Sequence, residues 1–280
     1  MIGPDVMIIG AMKCGTSTLA AQLGAQDGVF LTQPKEPNFF SDDDIFAKGT
    51  AWYEALFSGA HAGDITVEAS THYTKLPTYP ETIARLKATG LCPKLIYMVR
   101  DPMARLVSHY IHEWTQGVIT CSLDEALRQH PELVEYSLYG KQVTPWVEAF
   151  GADAILLLTM EEMKTDPHGV LATVGDFIGR MGMVWRDDLG RMNASSERIK
   201  RFPLHGLVFD NPVAQTLRRT LVPKAVRDGL KAKRQMQSRP ALSDAERRRL
   251  EPVFSADAQR LKEHFPQASG LIFDKVKGTT

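Results

Sequence analysis

The chain has 280 residues, of which 44% are hydrophobic and 24% charged, which suits a globular protein with room for one large α/β domain or two small ones. Lys+Arg and Asp+Glu both number 33, so the composition indicates no general attraction to nucleic acid. No apolar segment approaches the ~20 residues that a membrane helix requires, and no signal-peptide pattern is recognisable. The three cysteines form no disulfide framework, so we expect a cytoplasmic protein without a membrane span.

Apolar strands alternate with helices along the whole chain. Strands are predicted from Val6 onward and at 29–32, 65–68, 94–99 and 154–160. Helices are predicted at 16–24, 80–89, 102–115, 122–129, 135–150, 166–181 and 243–264. This alternation is typical of a parallel sheet that is covered on both faces. We therefore predict a single α/β domain over 1–280, with a P-loop-like central parallel sheet flanked by helices on both faces.

The first strand runs into a loop that suits a phosphate, reading GAMKCGTST. Gly10 and Gly15 match the two glycines of the P-loop pattern G-x-x-x-x-G-K-[ST], but Thr16 stands where the lysine belongs. Unpaired N–H groups and the helix dipole attract an anion to the start of the following helix. A nucleoside triphosphatase needs its lysine after the second glycine, to reach the β- and γ-phosphates. The loop lysine, Lys13, should therefore meet a different part of a nucleotide.

A second anion site is predicted at the end of the strand over 94–99. Arg100 emerges at the carboxyl edge of that strand, where ligands of open α/β sheets bind, and Ser108 lies two turns into the next helix. The planar fork of an arginine suits a phosphate, and the serine adds a hydroxyl. The alternative is that Arg100 pairs with Asp101 or a surface carboxylate while Ser108 faces solvent.

Four motifs follow one another in an order that resembles a known family. They are GAMKCGTST at 10–18, KEPNFF at 35–40, VEAST at 67–71 and RDPMARLVSHY at 100–110. Together they resemble the sulfotransferases that use 3′-phosphoadenosine 5′-phosphosulfate (PAPS), and most of all the heparan-sulfate-type branch and its bacterial relatives. The resemblance implies in-line transfer of a sulfuryl group to a hydroxyl or amine of a carbohydrate, lipid or small-metabolite acceptor, without a metal.

The resemblance also implies how the donor is held. Lys13 would contact the bridging oxygen and neutralise charge as the sulfuryl group leaves. The loop would hold the 5′-phosphate through Cys14, Gly15, Thr16, Ser17 and Thr18. Arg100 and Ser108 match the family's 3′-phosphate pair. A late basic segment would close over the 3′-phosphate and adenine, with Lys233, Arg234 and Arg239 as candidates; the alternative is a solvated basic helix face.

On the acceptor side, the resemblance implies that Glu36 is the general base. Its neighbour Lys35 would hold it ionised or bind substrate. Glu68 matches a family position that orients Lys13 or the acceptor. His72, near the acceptor side, and His109 compete with Glu36 for the role of base. The chain departs from the family pattern at two acceptor-side positions, 38 and 69, so the acceptor class stays open.

The sequence leaves the role of Cys14 and two rival functions of the protein to be decided. Cys14 lies in the phosphate loop, where it is either a small filler, which we favour, or a thiol of low pKa. One rival function is a P-loop kinase-like phosphotransferase, which requires ATP and Mg²⁺ and a lysine at position 16. The other is a non-catalytic nucleotide-binding protein, which binds the donor and sulfates nothing. The histidines show no spacing that predicts a metal site.

Overall fold

A central sheet of five parallel strands organises the molecule. The computed structural model describes residues 2–189, 236 and 238–266. The strands are β1 (Val6–Gly10), β2 (Val29–Leu31), β3 (Ile65–Ala69), β4 (Lys94–Val99) and β5 (Ile155–Thr159). Their order in the sheet is β2-β3-β1-β4-β5, and every neighbouring pair is parallel. The predicted α/β architecture is confirmed.

Helices surround this sheet in the described part of the chain. They are α1 (Thr16–Gly24), α2 (Asp43–Phe46), α3 (Thr50–Ala55), α4 (Thr82–Ala88), α5 (Pro102–Gln116), α6 (Leu123–Gln129), α7 (Glu132–Glu135), α8 (Tyr139–Phe150), α9 (Met160–Thr165), α10 (Pro167–Ile178) and α11 (Asp244–His264). Short 3₁₀ turns occur at 71–74, 152–154 and 187–189. β1 is buried along its whole length, because it lies at the centre of the sheet.

The helix predicted over 135–150 is wrong at its start. The structure ends α7 at Glu135 and begins α8 only at Tyr139. The side chain of Asp257, on α11, accepts hydrogen bonds from the backbone N–H groups of Gly140 and Lys141, each at 2.8 Å. This long-range cap satisfies the first turn of α8, so the helix begins there.

The strand predicted over 154–160 and the helix predicted over 166–181 are both too long. β5 ends at Thr159, because the Thr159 hydroxyl and the Glu162 carboxylate form a reciprocal capping box that starts α9. Gly179 ends α10 with a left-handed φ of 82°. The apolar pattern alone predicts elements that are too long, because local capping interactions end β5 and α10 earlier.

α11 is the longest described helix, at 21 residues, and it packs on α8. Its sequence is rich in charged side chains. Among the residues that the structure describes, no helix combines the length and the apolar character that crossing a membrane requires.

The strand order predicts which edge of the sheet binds a ligand. All five strands end at the same edge because they are parallel. The chain moves from β1 to β2 and β3 on one side, then crosses to β4 and β5 on the other. Such a change of direction opens a crevice between the two strands where it occurs, which here are β1 and β4.

Candidate active site

A cavity of about 860 Å³ opens at the carboxyl edge of the sheet. Segments that follow all five strands contribute to its walls. The lining residues are Met12, Lys13, Gly15, Thr16, Ser17, Thr18, Gln22, Glu36, Thr71, His72, Lys75, Arg100, Ser108, His112, Glu113, Met160, Met163, Lys164, Pro167, Trp185, Arg186, Asp187 and Arg239. The structure thus brings both predicted anion sites and the predicted base to one cavity.

The loop after β1 is a tight turn that opens α1 toward the cavity. The N–H of Cys14 donates to the carbonyl of Ala11 at 3.2 Å. Lys13 and Gly15 adopt left-handed φ values of 70° and 91°. The φ of Gly15 lies in the left-handed region that glycine adopts without strain, which is the reason that glycine suits this position. No described side chain caps the start of α1, and the N–H of Thr18 donates to the carbonyl of Gly15 at 3.0 Å, so the N–H groups that precede Thr18 are those placed to meet an anion.

Arg100 and Ser108 lie across the crevice from this loop. The Nη1 of Arg100 donates to the carbonyl of Lys13 at 3.2 Å, and its buried Nε has no partner among the described residues. The alternative pairing with Asp101 is wrong, because the Asp101 carboxylate accepts the N–H of Ala104 at 2.6 Å and caps α5. Ser108 is buried and lines the cavity rather than facing solvent. Both side chains are therefore placed to serve a ligand.

Glu36 sits on a strained loop that is tied to the end of β3. Its φ is 60°, and its N–H donates to the carbonyl of Ala69 at 3.0 Å. One carboxylate oxygen pairs with Nζ of Lys35 at 2.6 Å, and the other accepts the Thr71 hydroxyl at 3.2 Å. Burial raises the pKa of Glu36, but the charges of Lys35 and Lys75 and the hydrogen bonds outweigh burial, so the pKa is below its ordinary value. Glu36 is therefore an ionised carboxylate at neutral pH.

The Glu36 loop is anchored in a buried aromatic cluster formed by Phe39, Phe40, Tyr53 and Tyr73. Phe39 and Phe40 are both fully buried in the hydrophobic core. The ring of Phe39 stacks on Tyr53 with centroids 4.5 Å apart, and Phe40 approaches Tyr73 at 5.9 Å. Both tyrosine hydroxyls donate to one oxygen of Glu68, at 2.7 Å and 3.1 Å. Glu68 thus holds the rings on which the loop rests.

Glu68, which is expected to orient Lys13 or the acceptor, is not among the residues that line the cavity. Its side chain is completely buried among the aromatic cluster. Burial raises the pKa of Glu68 from 4.5 to about 7, and hydrogen bonds from Ser70, Tyr53 and Tyr73 oppose the rise only in part. The described contacts therefore assign Glu68 to the support of the site.

Glu68 should make the protein less stable as pH rises. Between pH 4.5 and about 7 the folded state keeps a proton that the unfolded state has lost, so stability falls with pH through this window. We expect Glu68→Gln to remove up to about 3 kcal/mol of this decline, because glutamine does not ionise. Denaturant unfolding between pH 4 and pH 8 tests this, with exposed Glu251→Gln as the control. An unchanged pH dependence in Glu68→Gln would contradict it.

Three other predicted candidates have distinct surroundings. His72 lines the cavity, its ring stacks on Tyr79 with centroids 4.8 Å apart, and burial lowers its pKa to about 4. His109 is buried outside the cavity lining, and burial holds its pKa well below the usual range. Cys14 is buried with its Sγ 3.5 Å from the hydroxyl of Tyr139, and burial raises its pKa to about 11. The complete burial of Cys14 favours the filler interpretation over a reactive thiol.

Lys75 is a cavity residue that the sequence interpretation missed. It is 9% exposed, and burial lowers its pKa to about 8, although the charge of Glu36 opposes this shift. Its Nζ lies 5.8 Å from the centroid of the Tyr136 ring. No motif marks Lys75, because its place depends on the turn that follows β3.

Trp185 is the second missed residue, and two glutamines, Gln22 on α1 and Gln26 just after its end, hold the backbone on either side of it. Gln22 exchanges two hydrogen bonds with the backbone of Arg186, both at 2.8 Å. Gln26, one turn later, exchanges two with the backbone of Val184, both at 2.9 Å. No local motif signals this contact, because Gln26 lies beyond the end of α1 and the partners are about 160 residues away.

The late basic segment is only partly described. Arg239 lines the cavity, in agreement with its candidacy, whereas Lys233 and Arg234 lie outside the described residues. Lys35 does not line the cavity and acts through its ion pair with Glu36. Within the described ranges, no three His, Cys, Asp or Glu side chains are grouped so that they could hold a metal ion.

Comparison with known sequences identifies related proteins. Heparan sulfate glucosamine 3-O-sulfotransferase 3B1 of Mus musculus is 31% identical over 185 residues, which cover 63% of this chain and 46% of that protein. Heparan sulfate glucosamine 3-O-sulfotransferase 6 of Homo sapiens is 28% identical over 184 residues, with coverages of 63% and 52%. The chain spans about half the length of the curated relatives it matches.

Solved structures share the fold. The sulfotransferase from Alicyclobacillus acidocaldarius superposes with a TM-score of 0.64 at 23% identity, covering 94% of this chain and 96% of that one. The sulfotransferase domain from the curacin biosynthetic pathway gives 0.52 at 15% identity, with coverages of 90% and 98%. The sequence model described as Sulfotransferase domain matches residues 3–198, which is more than half of the chain. The chain therefore belongs to the sulfotransferase family.

Proposed function

We propose that this protein transfers a sulfuryl group from PAPS to a hydroxyl or amine of a carbohydrate, lipid or small-metabolite acceptor. The observation that carries the proposal is the meeting of three groups in one cavity: the Lys13 loop, the Arg100–Ser108 pair and the ionised Glu36. A reducing compartment such as the cytoplasm suits the protein, because all three of its cysteines are free.

The residues present fit a nucleotide that is phosphorylated at both ends of its ribose. The uncapped first turn of α1 suits the 5′-phosphate. Arg100, whose buried Nε has no partner in the described part of the chain, and Ser108 suit a 3′-phosphate at the next strand edge. Apolar and aromatic side chains of Met160, Met163 and Trp185 offer a wall for the adenine ring of the nucleotide.

The chemical step needs positioning, charge neutralisation and a base. PAPS supplies the activated sulfuryl group. Lys13 places a positive charge where negative charge develops on the leaving phosphate. Glu36 accepts the proton of the attacking hydroxyl or amine, and its low pKa keeps it ready to do so at neutral pH. Lys35 and Thr71 hold its two oxygens in place.

Calorimetry with the product nucleotide, 3′-phosphoadenosine 5′-phosphate (PAP), tests the donor assignment. We expect PAP to bind more tightly than ADP or ATP, and Mg²⁺ to leave its affinity unchanged. Tighter binding of Mg²⁺–ATP would favour the phosphotransferase alternative. Binding of PAP without sulfation of any member of a sugar, lipid and small-molecule acceptor panel would favour a non-catalytic protein.

Ser108→Ala should weaken the binding of PAP selectively. A hydrogen bond to a charged group contributes about 1.5–3 kcal/mol, so the Kd of PAP should rise about 10- to 100-fold. The Kd of ADP, which lacks the 3′-phosphate, should change less than about twofold. Calorimetry measures both, with the exposed Ser58→Ala as the matched control. Equal losses for PAP and ADP would place Ser108 elsewhere on the nucleotide.

A further inference from the structure

Arg105 is a buried cation directly behind the phosphate loop. It lies on α5, five residues after Arg100, and its side chain is 0% exposed. Its Nε donates to the carbonyl of Met12 at 3.2 Å, and its Nη1 donates to the carbonyl of Leu133 at 3.3 Å and to the hydroxyl of Ser137 at 3.1 Å. Its buried Nη2 has no partner among the described residues.

The described part of the chain offers this guanidinium no counter-charge. No carboxylate there lies within the 4.0 Å of an ion pair, and every oxygen that Arg105 binds is neutral. The ring of Tyr136 faces it at 5.7 Å from the guanidinium carbon, and Lys75 faces the same ring at 5.8 Å. Burying an unpaired charge is costly, so an external counter-ion is the simplest reason for keeping one here.

The bond from Arg105 also orients the loop. The carbonyl of Met12 and the N–H of Lys13 belong to one trans peptide plane and point in opposite directions. By holding this carbonyl, Arg105 turns the N–H of Lys13 away from itself. Arg100 holds the next carbonyl, that of Lys13, at 3.2 Å. Two arginines therefore fix two successive carbonyls of the loop.

We propose that Arg105 is a positioning residue for the donor, which fixes the Met12–Lys13 peptide and supplies a buried positive charge whose counter-ion is the phosphate at the start of α1. This role rests on the proposed function. It differs from those of Arg100 and Lys13, which line the cavity, because Arg105 acts through the loop and through its charge.

The effect of Arg105 on affinity should grow with the charge of the ligand. We expect Arg105→Gln to raise the Kd of PAP at least 10-fold, that of AMP less, and that of adenosine less than twofold. Arg105→Lys keeps the positive charge but loses the planar guanidinium and its set of hydrogen bonds. It should bind PAP more tightly than Arg105→Gln and more weakly than the wild type. Arg128→Gln, which removes an exposed cation of α6, is the matched control and should leave all three Kd values unchanged.

Calorimetry with these three ligands, together with unfolding temperatures measured with and without PAP, tests the role proposed for Arg105. A folded Arg105→Gln with wild-type affinity for PAP would overturn the proposal. So would equal losses for PAP and adenosine, which a merely structural role predicts. If Arg105→Gln does not fold, Arg105→Lys is compared with the wild type by the same criteria. A wild-type protein that does not bind PAP would instead contradict the proposed function.

Discussion

Lys13→Ala is expected to lower kcat for sulfuryl transfer about 10²- to 10³-fold, which is the loss typical of removing one group that stabilises developing charge. Lys13 lines the cavity from a left-handed position with a φ of 70°. Alanine carries a Cβ as lysine does, so the backbone strain at this left-handed position is the same in both proteins. Steady-state kinetics and thermal unfolding of both proteins provide the test.

The control for this variant is Lys87→Ala, an exposed lysine on α4. It removes one positive charge of the same kind and should keep full activity and stability. If Lys13→Ala turned over at the rate of the control, the leaving group would have to be stabilised by other groups of the cavity. A large loss of PAP affinity with unchanged kcat would assign Lys13 to binding alone.

Glu36→Gln should retain the affinity for PAP and lose about 10²- to 10⁴-fold in kcat, because glutamine cannot accept a proton. Glutamine keeps one oxygen that can accept from Lys35, and its amide N–H can donate to the Thr71 hydroxyl in place of the second bond, so the loop should stay in place. Calorimetry with PAP separates donor binding from turnover. The exposed Glu148→Gln on α8 is the matched control. Unchanged turnover in Glu36→Gln would move the base elsewhere, with His72 as the candidate in the cavity.

The pH profile of the wild type should reflect the lowered pKa of Glu36. A general base works in its deprotonated form, so activity falls as pH drops through its pKa. Because the charges of Lys35 and Lys75 hold that pKa below its ordinary value of 4.5, kcat/KM should show no loss from this group down to about pH 5. In Glu36→Gln this acidic limb should disappear.

Local sequence patterns are sufficient to predict the sheet and the phosphate loop. An apolar run, two glycines and a small polar turn specify strand, loop and helix through contacts within a few residues. The left-handed φ of 91° at Gly15 is of this kind, because only the backbone around it is involved. The same is true of Arg100, which follows β4 directly and therefore reaches the edge where ligands bind.

Contacts between distant parts of the chain account for what the sequence could not predict. Glu68 is a supporting residue because Tyr53 and Tyr73 surround it, and nothing near it in sequence identifies those partners. Trp185 is held in the cavity wall by Gln22 and Gln26, whose partners lie 164 and 158 residues later in the chain. The start of α8 likewise depends on Asp257.

Asn38 shows how backbone geometry can select a residue. Its φ is 54°, and its N–H donates to the hydroxyl of Ser70 at 3.0 Å. Asparagine is among the few residues that adopt this left-handed conformation readily. Its presence in the Glu36 loop therefore has a conformational reason, whatever contact it makes with an acceptor.

The order of the strands places the groups assigned to the acceptor and most of those assigned to the nucleotide on opposite sides of β1. Glu36, Thr71, His72 and Lys75 follow β2 and β3, whereas the groups assigned to the nucleotide follow β1, β4 and β5. If the proposed function holds, substitutions, insertions or loop exchanges after β2 and β3 would alter which acceptor is taken and leave the nucleotide half intact. Acceptor preference would then diversify, in evolution or by engineering, around a constant donor half.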